Sequence, residues 1–137
     1  MTIKYASIVP LIGGMTLAGI KATGVKPSAI MTYSPFKDNE LSLKKYLPDV
    51  PYHVLDEDGD IDAGKDYDYI SALCPCAGLS LLSSGTQEVK EAANSWMFKT
   101  AEHVLGHLKP KVFWGENAPA LYALNNEAGT KVRQKLE

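Results

Sequence analysis

The sequence is short of cysteine, of basic charge and of long apolar runs. Its two cysteines, Cys74 and Cys76, are separated by one residue, so they cannot form a framework of disulfides, and we expect a reducing, cytoplasmic setting. The formal net charge of −2 argues against strong binding of nucleic acid by this chain alone, because such binding usually relies on a basic surface. Gly, Lys or Pro breaks each apolar stretch well before the roughly 18 residues that a membrane span needs.

What the sequence does have is the composition of an ordinary globular domain, with 137 residues of which 45% are hydrophobic. Short apolar segments alternate with segments of helical periodicity, the longest of which runs over Gln87–Leu108. This alternation predicts an α/β, Rossmann-like domain with a mainly parallel sheet and helices on both faces. The predicted strands are Tyr5–Ile12, Ala29–Tyr33, Tyr52–Leu55, Tyr67–Leu73 and Lys111–Gly115. The first helix is predicted to end at Gly24, a final helix to begin at Pro119, and the Gly- and Ser-rich segment Ala77–Gly85 to be a mobile loop. Because one long helix joins the fourth and fifth strands, these two are predicted to be parallel neighbours.

Residues that could bind a ligand or take part in catalysis follow several of these strands. Gly13 and Gly14 follow the first strand, Cys74-Pro75-Cys76 the fourth, and Glu116-Asn117 the fifth. Ligands of parallel sheets bind at the carboxyl ends of the strands, so these segments are candidates for one site. A thiol and a carboxylate there could act on one small ring, the thiol as nucleophile and the carboxylate as the group that steadies the shifting proton and charge.

The segments Pro75-Cys76 and Glu116-Asn117 resemble those of the DNA cytosine methyltransferases that act at ring carbon 5. That family has a Pro-Cys nucleophile loop and a later Glu-Asn-Val or similar tripeptide, in this order. The resemblance implies that Cys76 adds to ring carbon 6, that Glu116 binds ring nitrogen 3 and the amino group, and that Asn117 braces the loop. It also implies that the target base is flipped out of the duplex.

The resemblance extends to the part of the family's sequence that binds S-adenosylmethionine. Gly13 and Gly14 match the end of the first motif, Phe-x-Gly-x-Gly-Gly, whereas Leu11 stands at its first glycine and Val9 at its aromatic position. The acidic residue expected after the second strand is missing from Thr32-Tyr33-Ser34-Pro35. The cofactor-binding residues implied are Gly13, Gly14, Asp60 and Pro75, and the two departures predict weak cofactor binding.

The family's target-recognition region and final helix are not found in this sequence. Residues 1–135 are therefore expected to be the N-terminal part of a methyltransferase catalytic domain and to be inactive alone. DNA is expected to bind to the longer parent protein, which would belong to a restriction-modification system or to another context. Leu136 and Glu137 are a pair commonly left by a cloning site ahead of a purification tag. The oligomeric state does not follow from the sequence.

Other interpretations compete with this one. Cys74, Cys76, His103 and His107 could bind zinc, although one residue between two cysteines is fewer than zinc sites usually have. The alternating carboxylates of Asp56–Asp62 suggest calcium, but no closing glutamate follows. A non-catalytic relative that has lost cofactor binding and serves as an interaction or regulatory module would explain the substitution at Leu11. A dinucleotide oxidoreductase would need a complete Gly-x-Gly-x-x-Gly, which is absent.

Overall fold

The structure, a computed structural model, describes residues 2–55, 63–74, 96–117 and 127–137. The chain divides into two compact units. The first comprises Met1–Leu73 and Leu108–Gly115, and the second comprises Cys74–His107 and Glu116–Glu137.

A five-stranded parallel sheet forms the centre of the first unit. Its strands are β1 (Tyr5–Ile8), β2 (Ala29–Tyr33), β3 (Tyr52–Leu55), β4 (Tyr69–Leu73) and β5 (Val112–Glu116), in the order β3-β2-β1-β4-β5. β1 pairs in parallel with β2 and β4, and β2 pairs in parallel with β3. β5 begins beside the start of β4, because the amides of Lys111 and Val112 donate to the carbonyls of Tyr67 and Asp68 at 2.9 and 3.1 Å. The predicted Rossmann-like sheet is therefore confirmed.

The helices begin and end at residues whose chemistry explains their limits. They are α1 (Gly14–Thr23), a 3-10 helix (Ser34–Glu40), α2 (Leu41–Tyr46), α3 over residues 96–103 with a π turn at Val104–Leu108, and α4 (Glu127–Leu136). Gly24 ends α1 in a left-handed conformation with φ 74°, from which its amide donates to the Ile20 carbonyl at 2.8 Å. Pro35 stands in the first turn of the 3-10 helix, where a missing amide hydrogen costs nothing. Within the described ranges, no helix is long and apolar enough to cross a membrane.

The element boundaries differ from the predicted ones mainly at β1. The predicted strand Tyr5–Ile12 ends at Ile8, because Val9 takes a φ of 48°, which extended structure does not allow. The fourth strand begins at Tyr69, after a left-handed Asp66, and the fifth ends one residue later, at Glu116. The predicted start of the long helix at Gln87, the mobile loop over 77–85 and the helix start at Pro119 lie outside the described residues.

The core of the first unit forms where α1 and α2 cover the sheet. Every residue of β1 and β2 is buried, so both faces of these strands are covered, as in a doubly wound sheet. Small residues let α1 approach β1 closely: the Thr16 hydroxyl donates to Ser7 Oγ at 2.9 Å, and Gly19 lies against the Tyr5 ring. A buried apolar cluster completes this face, with Ile20 and Tyr52 packed against Ile30, Leu43, Leu47 and Val50.

Gly13 lies at the amino end of α1 in close contact with this core. Its φ is 91°, and a Cβ added there would lie 2.5 Å from Cδ1 of the buried Leu43. The next residue, Gly14, is different, since a Cβ added to it would meet nothing within 4 Å. The turn into α1 therefore requires a glycine at position 13 and not at position 14.

We predict that Gly13→Ala lowers the free energy of unfolding by roughly 2–4 kcal/mol, because left-handed strain and overpacking against Leu43 add. Gly14→Ala is the matched control and should change it by less than about 1 kcal/mol, since alanine favours a helix and space is open. Urea unfolding followed by circular dichroism measures both. Equal effects of the two substitutions would contradict the close packing at Gly13.

Candidate active site

The strand order places a switch point between β1 and β4. β2 and β3 lie on one side of β1, and β4 and β5 lie on the other. Ligands of such sheets bind at the carboxyl ends of the strands next to this point. The turn over residues 9–13 follows β1, Cys74 follows β4, and Glu116 ends β5. The sequence predicted that the strands preceding Cys76 and Glu116 are neighbours, and the adjacency of β4 and β5 confirms this.

The turn after β1 has an unusual backbone. Val9, Leu11 and Gly13 all have left-handed φ values, of 48°, 53° and 91°. Such values are uncommon for residues other than glycine, and for a β-branched residue such as Val9 they are strained. Two backbone bonds hold the turn: Val9 N–H donates to the Met31 carbonyl, and Gly13 N–H donates to the Pro10 carbonyl, each at 2.8 Å.

Leu11 connects this geometry with the sequence motif. It occupies the position of the motif's first glycine, and its φ of 53° is one that glycine adopts without cost. The turn therefore keeps a glycine-like backbone although the glycine itself is absent. The Leu11 side chain is 37% exposed and that of Ile12 is 80% exposed, so this edge of the sheet presents apolar side chains to solvent.

A buried carboxylate that the sequence analysis missed lies beside this turn. Glu40, the last residue of the 3-10 helix, is fully buried. It accepts hydrogen bonds from the Thr32 hydroxyl at 2.9 Å and from the Tyr52 hydroxyl at 2.5 Å. Glu40 lies seven residues beyond β2, and its burial makes it a structural acceptor for Thr32 and Tyr52 and not the cofactor-binding carboxylate that the resemblance expects directly after β2. Asp38 and Glu40 were the available acids, but their spacing alone does not say which one turns inward.

Burial dominates the electrostatics of this cluster. Burial raises the pKa of Glu40 above its ordinary value, while the hydrogen bonds from Tyr52 and Thr32 and the charge of Lys44 oppose the rise. The pKa of Tyr52 is raised too, by burial and by its bond to Glu40. Lys44 Nζ lies 4.1 Å from the centroid of the Tyr52 ring, so one cation faces the cluster.

Cys74 is a buried thiol and a poor nucleophile. It is a free cysteine, and burial raises its pKa to about 11, opposed only in part by a hydrogen bond with Thr100 of α3. A thiol with this pKa stays protonated near neutral pH and behaves as a small core residue. Of the two cysteines in the Cys-Pro-Cys segment, the structure therefore assigns a core role to Cys74.

Of the other predicted site residues, four lie in the described part of the chain and three lie outside it. The side chain of Glu116 is exposed at the end of β5, and Asn117, which follows it, is half-buried. Gly13 and Gly14 lie at the start of α1. Cys76, Pro75 and Asp60 lie outside the described residues, so their predicted roles remain predictions.

The metal-binding alternatives gain no support from the described residues. His103 is buried, and its ring centroid lies 5.4 Å from that of His107, so the two rings are neighbours as their spacing suggests. Within the parts of the chain that the structure describes, however, no group of three or more His, Cys, Asp or Glu side chains is placed to hold a metal ion. The calcium-like segment Asp56–Asp62 lies outside them.

Comparisons with known proteins bear on the fold. No protein-family model and no curated protein matches the sequence. Among solved structures, DesVI from Streptomyces venezuelae matches with a TM-score of 0.54 and 16% identity over 85% of this chain and 43% of DesVI. PKMT2 from Rickettsia typhi, solved in complex with AdoHcy, matches with a TM-score of 0.46 and 22% identity over 80% of this chain and 19% of PKMT2. The second score is too low to establish a shared fold.

At 16% identity the likeness to DesVI concerns the fold alone. The chain has a Rossmann-like fold with a parallel sheet, as the sequence predicted, and it shares this fold with DesVI. It spans less than half the length of DesVI.

We predict that Cys74 resists alkylation in the native protein. With a pKa of about 11, its thiolate fraction at pH 8 is on the order of one in a thousand, and burial hinders access further. Iodoacetamide at pH 8, followed by peptide mass spectrometry, should label Cys76 and leave Cys74 unlabelled until denaturant is added. The Cys74→Ser variant should take up as much label as the wild type, and rapid native labelling of Cys74 would contradict its burial.

Proposed function

We propose that this chain belongs to the catalytic part of an S-adenosylmethionine-dependent methyltransferase that acts on carbon 5 of cytosine in DNA. The observation that carries the proposal is the adjacency of β4 and β5, since the Cys-Pro-Cys segment follows one strand and Glu116 ends the other. Neighbouring parallel strands end at one edge of a sheet, which is what a thiol and a carboxylate need in order to flank one ring.

The backbone of the turn after β1 is suited to binding S-adenosylmethionine. Leu11 and Gly13, which stand at the first two glycine positions of the family motif, both have left-handed φ values, and space is open beside Gly14. Gly13 and Gly14, with Asp60 and Pro75 from outside the described residues, would hold S-adenosylmethionine. When bound, this cofactor supplies an electrophilic methyl group.

The chain's own residues would prepare the base for that methyl group. Cys76, as the thiolate, adds to ring carbon 6 and thereby makes carbon 5 nucleophilic. Glu116 would hydrogen-bond ring nitrogen 3 and the amino group, which stabilises the electrons that move into the ring. Asn117 would brace the segment after β5. Departure of the thiolate, after carbon 5 has lost its proton, restores the double bond between carbons 5 and 6. The buried, protonated Cys74 is unsuited to this role.

DNA would be the partner through sequence beyond these 137 residues. The net charge of −2 gives this chain little electrostatic attraction for phosphates, so we infer that affinity for duplex DNA comes from elsewhere.

A trapping experiment tests the reaction. A short single-stranded oligonucleotide containing 5-fluorocytosine avoids the cost of base flipping, and its fluorine prevents the loss of a proton from carbon 5. With S-adenosylmethionine present, we expect the longer parent protein to form an adduct that survives denaturation and maps to Cys76 by mass spectrometry, whereas this chain alone, which is expected to be inactive, should form none. Cys76→Ser should abolish the adduct, whereas Cys74→Ser should retain it.

Other outcomes would reject either the cytosine substrate or the enzymatic function as a whole. Cofactor binding by the parent protein without an adduct would reject cytosine as the target while leaving a methyltransferase of another substrate class. Absence of cofactor binding at millimolar concentration would favour the non-catalytic interaction module instead.

Substitution of Leu11 provides a test of the cofactor site. We predict that Leu11→Gly tightens binding of S-adenosylmethionine roughly fivefold, equivalent to about 1 kcal/mol, because glycine removes a side chain and left-handed strain from the turn. The control is Ile12→Gly, which removes a more exposed side chain at a residue without a left-handed φ and should not tighten binding. Calorimetric titration measures both, and wild-type binding in the low micromolar range would contradict the expected weak site.

A further inference from the structure

Three buried hydroxyl groups connect the first turn of α1 with the two strands that flank the switch point. Ser7 is the third residue of β1, Ser71 is its register partner in β4, and Thr16 belongs to α1. The Thr16 hydroxyl donates to Ser7 Oγ at 2.9 Å, and the Ser71 hydroxyl donates to the same oxygen at 3.3 Å. Each of the three residues is at most 3% exposed, so water does not compete for these bonds. We call this group the hydroxyl bridge.

The amino end of α1 depends on this bridge for its attachment to the sheet. Of the ten residues of α1, all of which the structure describes, Thr16 alone is buried. A Cβ added at Gly14 would meet nothing within 4 Å, and Leu17 is 39% exposed. The apolar contacts of the helix lie about one turn later, where Gly19 approaches the sheet and Ile20 packs on the buried cluster. A polar contact therefore holds the first turn, where apolar side chains hold the rest.

Hydroxyl groups serve a purpose here that apolar side chains of similar size would not. Burying a polar group is costly unless it is hydrogen-bonded, so apolar side chains would fill the same space more favourably. A hydrogen bond, however, has a preferred length and direction, and it fixes the position of one element on another. A threonine in a helix often bonds to a carbonyl of its own helix, as Thr23 does with Gly19 at 2.8 Å. The Thr16 hydroxyl instead bonds outward, to β1.

The first turn of α1 is continuous with the turn after β1. Gly13 N–H donates to the Pro10 carbonyl and Leu17 N–H donates to the Gly13 carbonyl, each at 2.8 Å, so the turn and the helix share Gly13. A movement of the start of the helix must therefore move the turn over residues 9–13 as well. On the other side of the bridge, Ser71 lies in the strand that leads to the Cys-Pro-Cys segment.

We propose that Thr16 is a positioning residue whose hydroxyl, through Ser7, fixes the start of α1 and the turn before it against β1 and β4. The inference rests on the proposed function in one respect, namely that this turn contacts S-adenosylmethionine. Thr16 is itself buried and need not touch the ligand. If the turn is correctly placed for only a fraction of the time, the apparent dissociation constant rises by the inverse of that fraction.

Two substitutions separate the hydroxyl of Thr16 from its volume. Thr16→Val keeps the branched shape and a similar helix propensity but removes the donor of the bond to Ser7. Thr16→Ser keeps the donor but removes a buried methyl group. A positioning role of the hydroxyl makes the valine variant the more damaging one at the start of α1, whereas a role in packing alone would reverse that order.

Thr23 provides the matched control in the same helix. Its hydroxyl donates to the Gly19 carbonyl in the last turn of α1, so Thr23→Val removes the same chemical group from the other end. Two backbone amides report on the two ends separately. The amides of Leu17 and Gly24 each donate one backbone bond of 2.8 Å, the first in the opening turn of α1 and the second at its close.

The experiment compares wild type with Thr16→Val, Thr16→Ser and Thr23→Val by two measurements. Hydrogen exchange of the Leu17 and Gly24 amides, followed by NMR, requires no ligand, and calorimetric titration with S-adenosylmethionine gives the affinity. We expect Thr16→Val to speed exchange at Leu17 roughly tenfold relative to Gly24 and to weaken binding roughly five- to tenfold. Thr16→Ser should stay within about twofold of wild type in both measurements, because it keeps the bond. Thr23→Val should leave exchange at Leu17 and the affinity unchanged.

Three results would overturn the positioning role. The first is unchanged exchange at Leu17 in a folded Thr16→Val protein, or equal acceleration at Leu17 and Gly24, which indicates general destabilisation. The second is a larger effect of Thr16→Ser than of Thr16→Val, which indicates packing. The third is faster exchange at Leu17 with unchanged cofactor affinity, because the start of α1 would then be held without consequence for binding.

Failure of the cofactor site and failure of the bridge are distinguishable. If the wild type does not bind cofactor at millimolar concentration, the proposed function and the cofactor role of Thr16 are rejected, while exchange at Leu17 still decides whether Thr16 holds the start of α1. If Thr16→Val does not fold, Ser71→Ala removes only the longer bond to Ser7 and should speed exchange at Leu17 by a smaller factor. An unchanged rate in that variant would overturn the proposal.

Discussion

The parallel pairing of β1 on both sides is the constraint on which the rest of the first unit depends. β1 pairs in parallel with β2 and β4, and all four of its residues are buried. Parallel neighbours cannot be joined by a tight hairpin, so each connection must leave the sheet and return to its starting edge. The segments that follow β1 and β4 therefore begin at the same edge, and they carry Gly13, Gly14 and both cysteines. The sheet thus brings to one edge residues that are distant along the chain.

Burial raises the pKa of two ionisable groups whose surroundings differ, Cys74 and Glu40. Cys74 has a hydrogen bond with Thr100 that offsets little of the cost of burying a thiolate, so it is a neutral core residue. Glu40 accepts hydrogen bonds from Thr32 and Tyr52 and has the charge of Lys44 nearby, which together make a buried carboxylate useful as a fixed acceptor. The arrangement of donors, and not burial alone, separates an inert thiol from a carboxylate that links β2 and β3.

Much of the fold could be predicted because it depends on local pattern. β2 and β3 have the predicted limits, and α1 ends at Gly24 as predicted, since apolar runs and glycine stops are visible in the sequence. β1 was predicted too long because Val9 is a residue that favours strands, and only its surroundings force it into a left-handed conformation. The site was less predictable for the same reason. The substitution at Leu11 suggested that the motif had been lost, whereas the backbone retains the conformation of the missing glycine.

The sequence by itself determined the alternation of strands and helices, the order of the motif-like segments and the fact that each follows a strand, because these are properties of neighbours along the chain. Tertiary structure decided that Cys74 is buried, since its burial depends on what packs around it and not on its own chemistry. It also decided that Glu40, seven residues beyond β2, returns to Thr32 and Tyr52. A contact between residues from three segments depends on how those segments pack in space, and no periodicity or spacing within one segment records it.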